Sequence, residues 1–343
     1  MNDNIKQIVL TGGPCAGKTT IFKKIEKYLL DKGYYVITVP ETATELIKGR
    51  VLPNSDREHT LMFQDLVLKQ QYTKELVAKA YAEKIAKNNN VIILYDRAII
   101  DNRAYLASED DFEYILNNNN LNEYQILHQY DLVIDLISTA TCMPDNYKLD
   151  GVRFETVEEA KILDQKTGSA WLHHPNLKIV KPQTNIDDKF NIVVNYIDNL
   201  LKGVDYHNKQ LYSLASKSDL SIYNDNNSKI VDVYTMYLKN NLTVVRKKYR
   251  QSEIYMLLDS YNGNKYKIIT PNEFIELVYC NDVIFTETKK EINFMDNGEI
   301  YKLISDDKGL YLECDDKDNL LLPKNLFLKE DYKLVKKKNC GMI

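Results

Sequence analysis

The chain has 343 residues, of which 44% are hydrophobic and 27% charged, and its formal net charge is −4. This slightly acidic balance excludes a broadly basic surface for nucleic acid, and no apolar run approaches the roughly 18 residues of a transmembrane segment. The length predicts two domains, and the N-terminus lacks the pattern of a signal peptide, so we expect a cytoplasmic protein. The five cysteines form no C-x-x-C pair, which disfavours a zinc cage or a disulfide framework.

Residues 1–203 alternate short apolar runs with helical patterns, as in a parallel sheet with crossover helices. Apolar residues at helical spacing predict a helix after the first strand, a long helix that ends near Asn88 and a last helix over 186–201. This pattern predicts an α/β fold for the first domain. Its five predicted strands are "QIVLTG", "YYVITV", "VIILY", "LVIDLI" and "LKIV".

The segment Gly12–Thr19 satisfies the pattern G-x-x-x-x-G-K-[ST] and lies between a predicted strand and an amphipathic helix. Glycines allow such a loop to surround phosphates with backbone N–H groups, and the helix behind it adds its positive end. We expect Lys18 to reach the β- and γ-phosphates of ATP or GTP, and the Thr19 hydroxyl to join the Mg²⁺ shell. The predicted nucleotide-binding residues are Gly12, Gly13, Pro14, Cys15, Ala16, Gly17, Lys18, Thr19 and Thr20.

Three charged residues follow predicted strands at the edge of the sheet where α/β proteins bind their ligands. Asp96 could hold Mg²⁺ or act as a base, and Arg97 could neutralise charge during phosphoryl transfer. The alternative is a buried Asp96–Arg97 pair that only fixes the loop. Glu41, at the end of the second strand, could deprotonate an acceptor hydroxyl or simply lie in the first turn of a helix.

Further along the chain, Arg153 lies in a polar segment after the fourth strand, where a mobile flap could place it over the phosphates. Solvent exposure without a function is the alternative. We expect Asp101 and Arg103 to have structural roles, and the single tryptophan, Trp171, to pack in the core.

Residues 204–335 are rich in Tyr, Val and Ile runs separated by Asn, Asp and Gly, which predicts antiparallel hairpins and one helix at "PNEFIELVY". Arg246, Lys248 and Arg250 alternate on a predicted strand and could line a polyanion-binding groove; an ordinary solvated strand is the alternative. In the tail, 336–343, Cys340 follows three lysines at the spacing of a C-a-a-X prenylation signal, although a chance cysteine would look the same.

Over about residues 5–200, the segments "LTGGPCAGKTT", "VPETATELI", "YDRAIIDNRAYL", "YKLDGVRFETVEEAKILD" and "AWLHHPNLKIV" resemble the NadR-like kinase family, which includes the TRPL translocation defect protein. The resemblance implies a kinase-type P-loop NTPase sheet with helices on both faces. It also implies that the phosphate-loop strand neighbours the strand ending in Asp96, and that a lid surrounds Arg153. Nicotinamide-riboside kinase members phosphorylate a ribose hydroxyl, whereas the translocation defect protein is regarded as a GTP- and phosphoinositide-binding trafficking factor.

The second half more faintly resembles the CYTH-like antiparallel β-barrel, through "VVRKKYR", "GEIYKLISDDKGLYLECD" and "LPKNLFLKEDYKL". The Glu-x-Glu-x-Lys run of catalytic members is missing near residues 205–250, so we do not expect triphosphatase activity there. Two functions follow from these observations. One is a Mg²⁺-dependent kinase that acts on a small-molecule hydroxyl acceptor. The other is a nucleotide-gated regulatory protein that binds phosphoinositides and attaches peripherally to membranes.

Overall fold

A computed structural model describes residues 4–54, 56–142, 156–203, 210–215, 218, 228–239, 241–259, 265–296, 299–314, 322, 326 and 334–335. The chain divides into two compact units, Met1–Asp205 and Tyr206–Ile343. None of the helices in this part of the chain is both long and apolar enough to cross a bilayer.

The first unit contains a parallel sheet of five strands in its described residues, in the order β2-β3-β1-β4-β5. The strands are β1 (Ile5–Gly12), β2 (Tyr35–Val39), β3 (Val91–Asp96), β4 (Leu132–Leu136) and β5 (Leu177–Val180). Residues 8–10 of β1 align with residues 94–96 of β3 on one side and with residues 132–134 of β4 on the other. The five predicted strands are therefore confirmed, and the strand that ends in Asp96 does neighbour the phosphate-loop strand.

Helices connect these strands. They are α1 (Lys18–Asp31), α2 (Thr42–Lys48), α3 (Arg57–Ile85), a 3₁₀ helix (Ile99–Tyr105), α4 (Glu109–Asn118), α5 (Glu123–Leu127), α6 (Thr139–Cys142), α7 (Val157–Ala170) and α8 (Ile186–Leu201). The long helix α3 ends at Ile85, three residues before the predicted limit, and α8 has the predicted bounds.

Helices cover both faces of the sheet. On one face, α1 and α8 pack their apolar residues against Ile92 and Leu94 of β3. On the other face, the Tyr95 ring packs against Tyr130, whose hydroxyl donates to the carboxylate of Glu75 in α3. Successive residues of a strand point to opposite faces, so this alternation along β3 is what a two-sided α/β layer requires.

The second unit is mainly antiparallel. In its described residues nine strands follow the order β10-β9-β8-β7-β11-β12-β13-β6-β14. They are β6 (Gln210–Ser213), β7 (Ser228–Leu238), β8 (Leu242–Tyr249), β9 (Ser252–Asp259), β10 (Lys265–Ile269), β11 (Val283–Asp296), β12 (Glu299–Asp306), β13 (Gly309–Cys314) and β14 (Leu334–Val335). The predicted helix is present as α9 (Pro271–Cys280), with Thr270 as its N-cap. Closure into a CYTH-like barrel stays a prediction.

Candidate functional site

The candidate site lies where β1 passes into α1. The loop between them contains three left-handed residues, Gly12 (φ 141°), Cys15 (φ 55°) and Gly17 (φ 80°). Backbone that alternates between left- and right-handed conformations forms a concavity of N–H groups that suits anions, and the helix dipole of α1 adds to this preference. The local geometry is therefore that of a phosphate-binding loop.

Glycine is required at two positions for reasons of space. A β-carbon on Gly12 would lie 2.2 Å from the carbonyl oxygen of Leu136, and one on Gly13 would lie 2.4 Å from Oδ1 of Asp164. The Gly13 N–H donates to that same Asp164 oxygen at 3.2 Å. The loop is thus held against β4 and α7 by contacts that only glycine permits.

Lys18 lies over the loop, where its Nζ donates to the carbonyl oxygens of Gly12 at 2.9 Å and Gly13 at 3.2 Å. These bonds keep the ammonium group above the concavity, the position from which it could meet phosphate oxygens. Thr19 and Thr20 follow on the exposed side of the first turn of α1.

Residues from other elements hold the remaining carbonyl groups of the loop. The Ser138 hydroxyl donates to Pro14 O, the Thr139 hydroxyl to Cys15 O at 3.4 Å, and Lys189 Nζ to Ala16 O at 2.8 Å. Lys189 is buried although it is charged. These supports could not be predicted from the sequence, because each lies more than 120 residues from the loop and matches no local motif.

Glu41 and Arg97 form an ion pair beside the loop, with Arg97 Nε 2.9 Å from Glu41 Oε1. Arg97 has a left-handed backbone (φ 64°), and its side chain also donates to Gly12 O at 3.0 Å and approaches Asp101. Arg97 therefore joins the phosphate loop to two carboxylates. The predicted Asp96–Arg97 pair is replaced by this arrangement, and a direct role of Arg97 in transfer stays a prediction.

The pKa values of the Asp96 and Glu41 carboxyl groups are shifted in opposite directions. Burial, with the nearby charge of Glu41, raises the pKa of Asp96 above its ordinary value, and its Oδ1 is buried without a hydrogen-bond partner in the described residues. Burial would also raise the pKa of Glu41, but Arg97, a hydrogen bond from Thr44 and Lys18 together lower it. Asp96 is thus the better proton acceptor, and Glu41 is the one that stays ionised.

Further carboxyl groups lie beneath the loop. Asp101 accepts from the Thr11 hydroxyl and from the Ala98 N–H, which confirms the structural role predicted for it. Burial, followed by the charges of Asp164 and Asp101, raises the pKa of Asp135 to about 8. The sequence does mark Asp135 as a candidate buried carboxyl group, because it is the single charged residue in the apolar strand β4.

Arg103 is buried and pairs with Glu109 at 3.2 Å and Glu123 at 2.6 Å, so its predicted structural role is also confirmed. Trp171 is 0% exposed, as predicted for a core residue. Two other predicted site residues, Arg153 and Cys340, lie outside the described residues.

Mg²⁺ prefers oxygen ligands and usually keeps several waters, with one or two protein groups and the nucleotide phosphates completing its shell. The Asp96 carboxylate, with an unpartnered oxygen, and the exposed Thr19 hydroxyl are donors of this kind. In the described part of the chain, no group of three or more His, Cys, Asp or Glu residues could hold a metal ion on its own.

The second unit corrects one part of the polyanion-groove prediction, the position of Arg250. Arg250 does not lie on the strand, because β8 ends at Tyr249 and Arg250 adopts a left-handed conformation (φ 52°) in the turn that follows. Arg246 forms a bidentate pair with Glu253, and Lys248 Nζ lies 3.8 Å from the same carboxylate. One carboxylate thus faces both cations, and polyanion binding there stays a prediction.

Comparison with protein families finds that a family model described as "AAA domain" matches residues 7–189. The matched region begins in β1 and ends in α8, so it contains the phosphate loop and the strand that ends in Asp96. A search of curated proteins finds no match to the chain.

Proposed function

Because the chain belongs to the AAA domain family and residues 7–189 form a P-loop NTPase-like domain, we propose that it is a Mg²⁺-dependent phosphotransferase. It would move the γ-phosphoryl group of ATP or GTP to a hydroxyl group of a small molecule. The observation that supports this most is the carboxyl pair beside the phosphate loop. Asp96 has a raised pKa and an unpartnered oxygen, and Glu41 is fixed by Arg97. A carboxyl group at this place, with a raised pKa, can accept the proton of an acceptor hydroxyl.

In the proposed reaction the acceptor oxygen bonds to the γ-phosphorus while the bond from that phosphorus to the β–γ bridging oxygen breaks. The nucleoside diphosphate leaves with the electron pair of the broken bond, and the hydroxyl proton passes to Asp96. Lys18 and the loop N–H groups stabilise the charge on the phosphoryl oxygens. Glu41 stays ionised and orients the acceptor through a hydrogen bond.

Thr19 and Asp96 are the residues that would hold the metal ion, Asp96 through water. When bound, Mg²⁺ neutralises charge on the β- and γ-phosphate oxygens. Arg153 would add positive charge if the segment that carries it closes over the nucleotide.

The test is an acceptor screen. Purified protein with ATP or GTP and Mg²⁺ is incubated with nucleosides, nicotinamide riboside, sugars and inositol phosphates, and diphosphate release is measured with and without each acceptor. We expect one class of acceptor to raise the rate well above the rate of hydrolysis alone. Lys18→Ala should abolish turnover, since the lysine is the charged group nearest to the transferred phosphoryl group.

Two carboxyl variants separate chemistry from binding. Asp96→Asn and Glu41→Gln should each lower kcat by about a hundredfold or more while nucleotide still binds. Lys23→Ala, an exposed change on α1, is the control for general effects of substitution in that helix. If nucleotide raises the Tm but every acceptor fails, the phosphotransferase proposal is wrong and the nucleotide-gated regulatory function is favoured.

A further inference from the structure

A pocket of about 250 Å³ opens on the first unit between four elements. The first turn of α3 supplies Arg57 and Thr60, the end of the 3₁₀ helix supplies Tyr105, α4 supplies Asp111, and α7 supplies Lys166. The pocket is large enough for a phosphate group together with a few carbon atoms. It is called the Tyr105 pocket below.

The Tyr105 pocket adjoins the candidate site through the Tyr105 ring. This ring packs against the guanidinium of Arg97, whose carbon lies 5.7 Å from the ring centre, and Arg97 in turn holds Glu41 and Gly12. Tyr105 thus connects the lining of the pocket to the Arg97–Glu41 pair.

The Tyr105 pocket carries more positive than negative charge. Arg57 pairs through Nε and Nη2 with Asp111, whose side chain is only 4% exposed, so the second terminal nitrogen of Arg57 keeps its donors. Lys166 Nζ donates to Leu106 O at 3.5 Å, and no carboxylate of the described residues lies within ion-pair distance of it. Two cations thus face one carboxylate.

The residues that line the pocket indicate which class of ligand it would bind. Arg57 and Lys166 present N–H donors to an anion, and Lys is a common point-charge partner of phosphate. The Tyr105 ring, with Leu106 and Ala107, offers an apolar surface to the carbon atoms next to that anion.

From this geometry we infer that the acceptor is an organic phosphate monoester, whose phosphate group binds between Arg57 and Lys166 while a free hydroxyl of the same molecule receives the γ-phosphoryl group. This inference rests on the proposed function, because it names the class of acceptor for that reaction. A neutral nucleoside or sugar would leave Lys166 without an anionic partner, and it would bind more weakly.

The experiment compares matched acceptors, each hydroxyl compound with its own phosphate monoester: ribose with ribose 5-phosphate, nucleosides with nucleoside 5′-monophosphates, and inositol with inositol monophosphate. A third class of acceptor, a sugar acid that carries a carboxylate in place of the phosphate group, is tested beside the neutral compounds and their monoesters. For wild-type protein we expect a lower KM for the phosphate monoester in at least one pair. In Lys166→Ala this KM should rise about tenfold or more with kcat little changed, because one charge-assisted hydrogen bond to the anion is lost. The KM for ATP should not change.

Lys161→Ala is the control, since Lys161 is on the same helix and pairs with the exposed Glu158. Arg57 is less suitable for substitution, because its loss would leave Asp111 buried without its cation. Charge reversal in Lys166→Glu should weaken monoester binding further than Lys166→Ala. Equal KM values for neutral and phosphorylated acceptors, or a preference for the carboxylate arm, would overturn the inference while leaving the phosphotransferase proposal intact.

A binding measurement keeps the two proposals distinguishable. Ribose 5-phosphate and inorganic phosphate are titrated into wild type, Lys166→Ala and Lys161→Ala with a non-hydrolysable ATP analogue present, and affinity is followed by calorimetry. We expect the Lys166→Ala variant alone to lose affinity about tenfold. If this occurs but no acceptor is turned over, the pocket binds phosphate monoesters and the phosphotransferase proposal fails. If neither phosphate compound binds wild type, the inference is wrong whatever the acceptor screen shows.

Discussion

Asp135 is a carboxyl group placed where its charge is costly. It lies on β4, next to Thr11 of the central strand β1, and its Oδ1 has no hydrogen-bond partner in the described residues. Burial is the main reason that its pKa rises to about 8, and the charges of Asp164 and Asp101 raise it further. At neutral pH it is therefore mostly protonated, which limits the negative charge beneath a loop that has to bind phosphates.

This protonation predicts a pH dependence of stability. The unfolded pKa of an aspartate is about 3.9 and the folded value is higher, so the contribution of Asp135 is fully present below about pH 4 and is lost as the pH rises through 8. We expect the free energy of unfolding to fall between pH 5 and 9 by an amount on the order of a few kcal/mol. In Asp135→Asn this fall should be distinctly smaller.

The measurement is urea unfolding followed by tryptophan fluorescence. The chain has a single tryptophan, Trp171, and it is buried in the first unit, so the signal reports that unit alone. Asp188→Asn, an exposed change in the same unit, should keep the wild-type pH profile. A profile for Asp135→Asn that matches wild type would mean that Asp135 is ionised throughout this range.

At the scale of elements, the parts of the site that could be predicted are those encoded by adjacent residues. The loop Gly12–Thr19, the strand ending in Asp96 and Glu41 after β2 were identified because each motif and its flanking element are contiguous. The supports from Asp164 and Lys189 were missed because they lie 151 and 173 residues from their loop partners. Contacts of this range depend on tertiary packing and leave no pattern in a single sequence.

The error at Arg250 has a different physical cause. Turns in hairpins usually carry glycine or asparagine where the backbone is left-handed. Here an arginine takes that conformation between β8 and β9, so no turn residue marked the end of the strand. The pattern of charges also could not reveal that Glu253, which is opposite Lys248 on the paired strand, forms an ion pair diagonally with Arg246. Cross-strand partners are set by register, which the turn determines.

The sheet of the second unit contains a buried charge cluster on the face opposite to that of Arg246. Glu291 of β11 is 5% exposed and lies 2.9 Å from Nζ of Lys247 and 3.3 Å from that of Lys302. Burial would raise the pKa of Glu291, but Lys247, Lys302 and Lys289 hold it well below its ordinary range. The cluster couples the central strands β8, β11 and β12.

Removing the carboxylate should destabilise this sheet. Glu291→Gln removes the carboxylate that Lys247 pairs with and leaves Lys302 with Glu313 at 3.6 Å. Breaking a buried ion pair in this way typically costs about 3–5 kcal/mol. Because the folded pKa of Glu291 is lowered, its contribution is present above about pH 4.3 and is lost as the pH falls further. We therefore expect a lower Tm for the variant at pH 7 and a smaller difference from wild type at pH 3.

Thermal unfolding followed by circular dichroism tests this expectation. Glu287→Gln is the matched control, because Glu287 lies on the same strand, is exposed and accepts a hydrogen bond from the Tyr237 hydroxyl. Its Tm should stay within about a degree of wild type, as is usual for exposed substitutions. Equal melting of the two variants would show that the buried cluster contributes no more than a surface glutamate.

For the molecule as a whole, the two units have separate cores. The core of the first unit is built on β1 and α1, with Leu10 and Ile25 among its members, whereas the second unit has its own clusters around Phe294 and Phe274. A unit with its own core can unfold on its own, and a two-unit chain then departs from a single two-state transition. Nucleotide binding, which the phosphate loop places in the first unit, should act on that unit alone.

We therefore expect two transitions in differential scanning calorimetry. A non-hydrolysable ATP analogue with Mg²⁺ at a hundred times its Kd stabilises the state that binds it by about 2.7 kcal/mol, which should raise one transition by several degrees and leave the other in place. Lys18→Ala should remove the shift, and Glu291→Gln should lower only the transition that the analogue does not move. A single transition that responds to the analogue, to Lys18→Ala and to Glu291→Gln would mean that the two cores unfold as one cooperative unit. The nucleotide would then influence the stability of the whole chain.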